Sequence, residues 1–202
     1  MAKRARLRQD GGQNAGVKTF KQPAGAVDPY DPQAPRVKPD TGTPARKAAV
    51  ALEDAIRHDA VETGVFIAAD GSELLRRTGE PDRVVFTALD LSTKAGTTFT
   101  HNHPGDRSFS LDDYEHAHVA GLAELRAVTP RFRHILVMGA AMPAPATVER
   151  LRDRMESRLS RLVDDMIKHD ELHPAARGVE LDHQFWRALA RRYGFAYNRE
   201  PS

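Results

Sequence analysis

Two histidines two positions apart, His101 and His103, with the carboxylate of Asp113 ten residues beyond the second, form the most chemically suggestive group in this 202-residue chain. Two imidazoles and one carboxylate are a plausible ligand set for zinc. Three protein ligands leave the fourth tetrahedral position to water, which is the arrangement of a catalytic rather than a structural ion. The residues that must position this set can be read from the same stretch. Residues 97–101 (Thr-Thr-Phe-Thr-His) are β-branched or aromatic and favour a strand, whose side chains alternate between faces. His101 and His103 therefore project to one side and Asn102 to the other, where a structural role is expected. Pro104-Gly105 ends the strand, and Ser110 with Asp113 three residues later has the form of a capping box opening a helix. That first helical turn would carry Asp113 back to the strand end.

The string His101-Asn102-His103-Pro104, followed by Ser110-x-x-Asp113, resembles the signature of the JAMM (JAB/MPN+) metalloproteases, and its wording is closest to the bacterial or phage RadC-like branch. The loop between His103 and Ser110 is one residue shorter than the usual family spacing, while the Ser-to-Asp spacing is kept. The resemblance covers residues 60–140. It implies an α/β (α+β) fold, a mixed β-sheet flanked by helices of the JAB/MPN kind, with one zinc ion per chain held by His101, His103 and Asp113. It also implies a general base at the start of the first strand. Glu62 fits, because it leads into the apolar run 65–69, which ends at the turn signal Asp70-Gly71; Asp59 and Glu53 are weaker rivals. The resemblance gives Glu62 the proton of a zinc-activated water, whose pKa falls towards ~7, and gives Ser110 a hydrogen bond to the developing oxyanion. Ser110 could equally serve as a helix N-cap, or do both. The implied activity is hydrolysis of a peptide or isopeptide bond. The substrate would be a protein or peptide, such as a ubiquitin-like or phage-encoded partner.

Composition narrows the alternatives. Cysteine is absent, which excludes a disulfide framework, a thiol nucleophile and any Cys-ligated zinc. No signal-peptide pattern opens the chain and no apolar run approaches the ~20 residues that span a bilayer, so a cytoplasmic protein without membrane contact is expected. The net charge of +2 is uneven: residues 1–47 hold ten Lys or Arg against four Asp. Six prolines lie between Pro23 and Pro44, with little apolar periodicity, so residues 1–44 read as a disordered basic tail. Such a tail could contact nucleic acid or simply solvate the protein. A DNA-associated protein of RadC-like type is thus one rival reading, and a catalytically inactive JAB/MPN-type scaffold is another.

The hydrolase domain is expected over 45–143. A first helix is predicted over 44–60, strands near 62–69, 72–78 and 83–88, the histidine strand, a helix from Ser110 to about Ala123, and strands near 124–129 and 132–139. Residues 144–202 read as a helical extension. Val148, Leu151, Met155, Leu159, Leu162 and Met166 form an apolar stripe at helical spacing, suited to packing on the domain or to oligomerisation. An aromatic-rich segment from Phe185 to Tyr197 follows. His169 and His173 are four apart, but Asp170 replaces the required Glu of H-E-x-x-H and Pro174 ends the helix, so a second metal site is not expected there.

Overall fold

The computed structural model describes Tyr30 and residues 35–202. Most of the segment expected to be a disordered tail therefore lies outside the described residues. The fold is α+β. Its six-stranded mixed sheet has the order β2-β1-β3-β4-β5-β6, with β1 Thr63–Ile67, β2 Glu73–Thr78, β3 Thr98–Asn102, β4 Glu124–Val128, β5 Phe132–Val137 and β6 Tyr197–Pro201. Only β3 and β4 run parallel, joined by a crossover through helix α3, Leu111–Ala120. The other helices are α1 Pro44–Ile56, α2 Ala88–Ser92, α4 Pro145–Lys168 and α5 Arg177–Tyr193.

Alternation along the strands divides the sheet into two unlike faces. On one face Ala45 and Ala49 of α1 pack on Val65 and Ile67. The same face carries a buried ionic network: Glu53 accepts hydrogen bonds from Arg126, Arg133 and Thr100. On the other face Phe66, Phe99, Leu125 and Leu136 meet Val148, Leu151 and Leu159 of α4 and Phe185, Trp186 and Leu189 of α5 in one cluster. Residues 144–202 are helical, as expected, and they belong to the main core. They also end in β6, a strand that the sequence reading missed, which pairs antiparallel with β5.

Two further expectations are corrected. The region 83–88 is not a strand: it pairs only through an isolated bridge between Glu80 and Arg83, and a reciprocal capping box of Thr87 and Asp90 starts α2 instead. Side-chain oxygens satisfying the first helical amides favour a helix where the short β-rich run suggested otherwise. The tail boundary at 44 also moves. Tyr30 is buried against Phe132, with ring centroids 5.3 Å apart, and its hydroxyl donates to Glu180 Oε2 at 2.7 Å. Further on, Val37 N–H donates to Pro201 O, tying the chain to β6 before α1 begins. No helix among the described residues is long and apolar enough to cross a membrane.

Candidate metal centre

Register brings the site together. Strand β1 runs antiparallel to β3 with Gly64 opposite His101, and just beyond the paired residues Glu62 comes within reach of His103. On its other side His101 faces Ala127 of β4. Small residues on both flanks leave room for the imidazole, and a Cβ at Gly64 would approach the Phe99 ring to 2.8 Å. Helix α3 then starts where the sequence placed it. Ser110 Oγ accepts from Asp113 N at 3.0 Å, and Ser110 N donates to Asp113 Oδ2 at 2.7 Å. The capping box that begins the helix thus also aims the Asp113 carboxylate.

The ligand atoms of His101, His103 and Asp113 lie within 4.8 Å of one another, and this triad could hold a metal ion. Asp113 Oδ1 is 3.4 Å from His101 Nε2, and Asp113 Oδ2 is 3.5 Å from His103 Nε2. Metal–nitrogen bonds of about 2.0–2.1 Å imply tetrahedral edges of about 3.3 Å, which both distances match. The two Nε2 atoms are closer, 2.8 Å apart, a hydrogen-bond distance that requires a proton between them. His103 Nδ1 donates to the Arg107 carbonyl at 2.9 Å, which turns its Nε2 towards the centre. Glu62 Oε1 lies 3.7 Å from His103 Nε2.

The electrostatics favour positive charge at this point. Burial opposes charge on His101, yet Asp113 and then Glu62 outweigh it and raise its pKa. Burial and the neighbouring His101 lower that of His103. The pKa of Asp113 is held well below the ordinary range: burial works the other way, but His101 and His103 outweigh it. Glu62 is pushed up to about 7, chiefly by burial, with Asp113 and Asp82 adding and His101 opposing. Two imidazoles and two carboxylates gathered in a largely buried space balance only when positive charge, a proton or a metal ion, sits among them.

Asn102, between the two histidines, is fully buried and its side chain secures the segment that carries Glu62. Its Oδ1 accepts from Thr63 N at 2.7 Å, and its Nδ2 donates to the carbonyls of Val61 at 3.0 Å and Asp59 at 3.3 Å. The rival bases fall away from the site: Glu53 is buried in the ionic network on the opposite face, and Asp59 is exposed. His116 is exposed and lines the cleft, whereas His118 stacks on Tyr114. His173 caps the short 3-10 turn Pro174–Ala176 and takes no part in a metal cluster among the described residues.

The short loop from Pro104 to Phe109 is braced on three sides. Asp106, in the left-handed region at φ 60°, accepts from Arg131 Nε at 2.7 Å. Arg107 pairs with Asp182 of α5, and the Phe109 carbonyl accepts from Trp186 Nε1 at 3.2 Å. These braces come from residues distant in sequence, and no local pattern marked Asp182 or Trp186 as partners of the site. A cleft of about 730 Å³ reaches Glu62, His103 and Asp113, with His101 buried behind them, and is lined also by residues 81–86, the 107–112 segment, Arg152 and Asp182. No family model, characterised protein or solved structure compared with this chain gave a match.

Proposed function

We propose that this chain is a zinc-dependent hydrolase of the JAMM type that cleaves a peptide or isopeptide bond. The observation that carries the reading is the convergence of His101, His103 and Asp113 with the Glu62 carboxylate, at a point where His103, Asp113 and Glu62 line an open cleft. A zinc ion at the triad would supply Lewis acidity towards the scissile carbonyl and would acidify a water molecule. Glu62, with Oε1 3.7 Å from His103 Nε2, is placed to take a proton from such a water and to return it to the leaving amine. Ser110 can fill both of its expected roles at once. Its oxygen accepts the Asp113 amide, and its own O–H remains available to donate towards a carbonyl oxygen in the cleft. An inactive scaffold would have no use for a further carboxylate, that of Glu62, beside an intact ligand set. The substrate would be a protein or peptide, such as a ubiquitin-like or phage-encoded one.

Metal analysis of the purified full chain tests this directly, with about one zinc per chain expected. His101→Ala, His103→Ala and Asp113→Ala should each lose most of it. Glu62→Gln should keep the metal and the fold but lose turnover on any peptide that the parent cleaves. Full zinc retention in all three ligand variants, or wild-type turnover in Glu62→Gln, would refute the assignment. A nucleic-acid role would instead show as a gel shift that disappears when residues 1–29 are removed.

A further inference from the structure

One wall of the cleft holds two guanidiniums on a carboxylate that a single one would neutralise. Arg107 donates through Nε to Asp182 Oδ2 at 2.7 Å and through Nη2 to Oδ1 at 3.1 Å, and Arg152 Nη2 donates to the same Oδ1 at 2.8 Å. The Asp182 side chain is 4% exposed, whereas those of Arg107 and Arg152 are 60% and 31% exposed. The carboxylate is therefore buried beneath the cations, and the cluster presents one net positive charge to the cleft that all three residues line. Each guanidinium has five N–H donors, of which Arg107 uses two on Asp182 and Arg152 uses one. Arg152 also lies over the Phe185 ring, 5.4 Å from its centroid, a cation–π contact that helps to hold its guanidinium in place.

Bracing the metal-site loop does not account for the second arginine. The two-bonded Arg107–Asp182 pair already ties the loop to α5, and α4 and α5 are joined by the apolar packing of Leu151 and Leu159 with Phe185 and Trp186. The cluster is also next to the chemistry, because the Arg107 carbonyl orients His103. Asp82, Arg83 and Asp112 also line the cleft, so its charge is mixed and an anion is favoured where the two guanidiniums face it. Resting on the hydrolase reading above, we propose that Arg107 and Arg152 form a carboxylate-binding subsite, so that the enzyme selects peptides carrying a carboxylate near the scissile bond. That carboxylate could belong to an acidic side chain or to a free C-terminus, both of which fit the planar fork of arginine.

Equilibrium binding tests the proposal without requiring turnover. Three fluorescent peptides of one neutral sequence are titrated by anisotropy against the full-length protein: one amidated, one with a free C-terminus, and one amidated with a single Asp. At least one carboxylate peptide should bind about ten-fold more tightly than the neutral one, and its identity distinguishes the two sources. The preference should shrink as salt is raised and fall below about two-fold in Arg152→Gln. Arg152→Lys, which keeps the charge and loses the fork, should recover part of it, and this second variant guards against a folding defect in the first. Equal affinities for all three peptides, no measurable binding, or a preference unchanged in both variants would each overturn the subsite. Hydrolysis without acidic preference would refute the subsite and leave the hydrolase reading standing; acidic preference without hydrolysis would do the reverse.

Discussion

Replacing Asn102 by Ala should loosen both the fold and the proposed general base while sparing the metal ligands. The Asn102 side chain is fully buried and makes three hydrogen bonds to backbone groups of the segment that carries Glu62. The bonds to Thr63 N and Val61 O, at 2.7 and 3.0 Å, are short, and truncation would strand both groups in a confined space. Each buried group left without a partner costs about 1–3 kcal/mol. The third bond, at 3.3 Å, ends on the exposed Asp59, whose carbonyl can turn to water, so it adds little. The sum is about 2–6 kcal/mol, a substantial share of the ~5–15 kcal/mol that holds a typical protein folded. Urea unfolding would read this directly, and thermal melting should shift by about 10 °C for a chain of this size. Amide exchange adds a local measure, since Thr63 N–H should lose protection before neighbouring β1 amides. In the proposed enzyme, zinc content should stay near that of the parent while turnover falls with Glu62 no longer held in place. Asn102→Asp should do no better than Ala, because its second oxygen would face the Val61 and Asp59 carbonyls as an acceptor. A loss in Asn102→Ala below about 0.5 kcal/mol, the level of an ordinary surface substitution, would refute the reasoning.

Three other outcomes are expected. Glu53→Gln should destabilise by about 1–3 kcal/mol in urea unfolding, because Arg126 and Arg133 lose their shared counter-charge and keep only Glu124 and Asp54 as partners. Tyr30→Ala should lower stability by about 3 kcal/mol through lost packing on Phe132, and Tyr30→Phe by about 1 kcal/mol through the lost bond to Glu180; unchanged melts for both would return the fold boundary to residue 44. In protein stripped of metal, the raised pKa of Glu62 means that the folded state binds a proton more tightly than the unfolded one. Its contribution is fully present below the unfolded pKa and is lost as pH rises through about 7, so Glu62→Gln should flatten the fall in stability across that window. An identical pH profile in the variant would show that Glu62 does not titrate there.

The sequence by itself determined those parts of the site that depend on local periodicity and local hydrogen bonding. Alternation along β3 put His101 and His103 on one side, and Ser110 with Asp113 three residues on specified a capping box that needs no distant partner. The apolar stripe of α4 was equally legible, since helical spacing is a property of the strip itself. Strand β6 and helix α2 were not legible. An edge strand reading Tyr-Asn-Arg-Glu-Pro has no apolar alternation and exists because β5 offers it a ladder, and the β-rich run at 84–86 met no such ladder. The pairing of β1 with β3 brought Glu62 over His103 across about forty intervening residues, and Asn102 locked that register from the opposite face. The double arginine on Asp182 likewise joins a loop, α4 and α5. Such contacts depend on which surfaces meet after the chain has closed on itself, and a linear pattern carries no record of that geometry. The residue types in this chain announced what chemistry was available; only the packed sheet and helices decided which of them could act together.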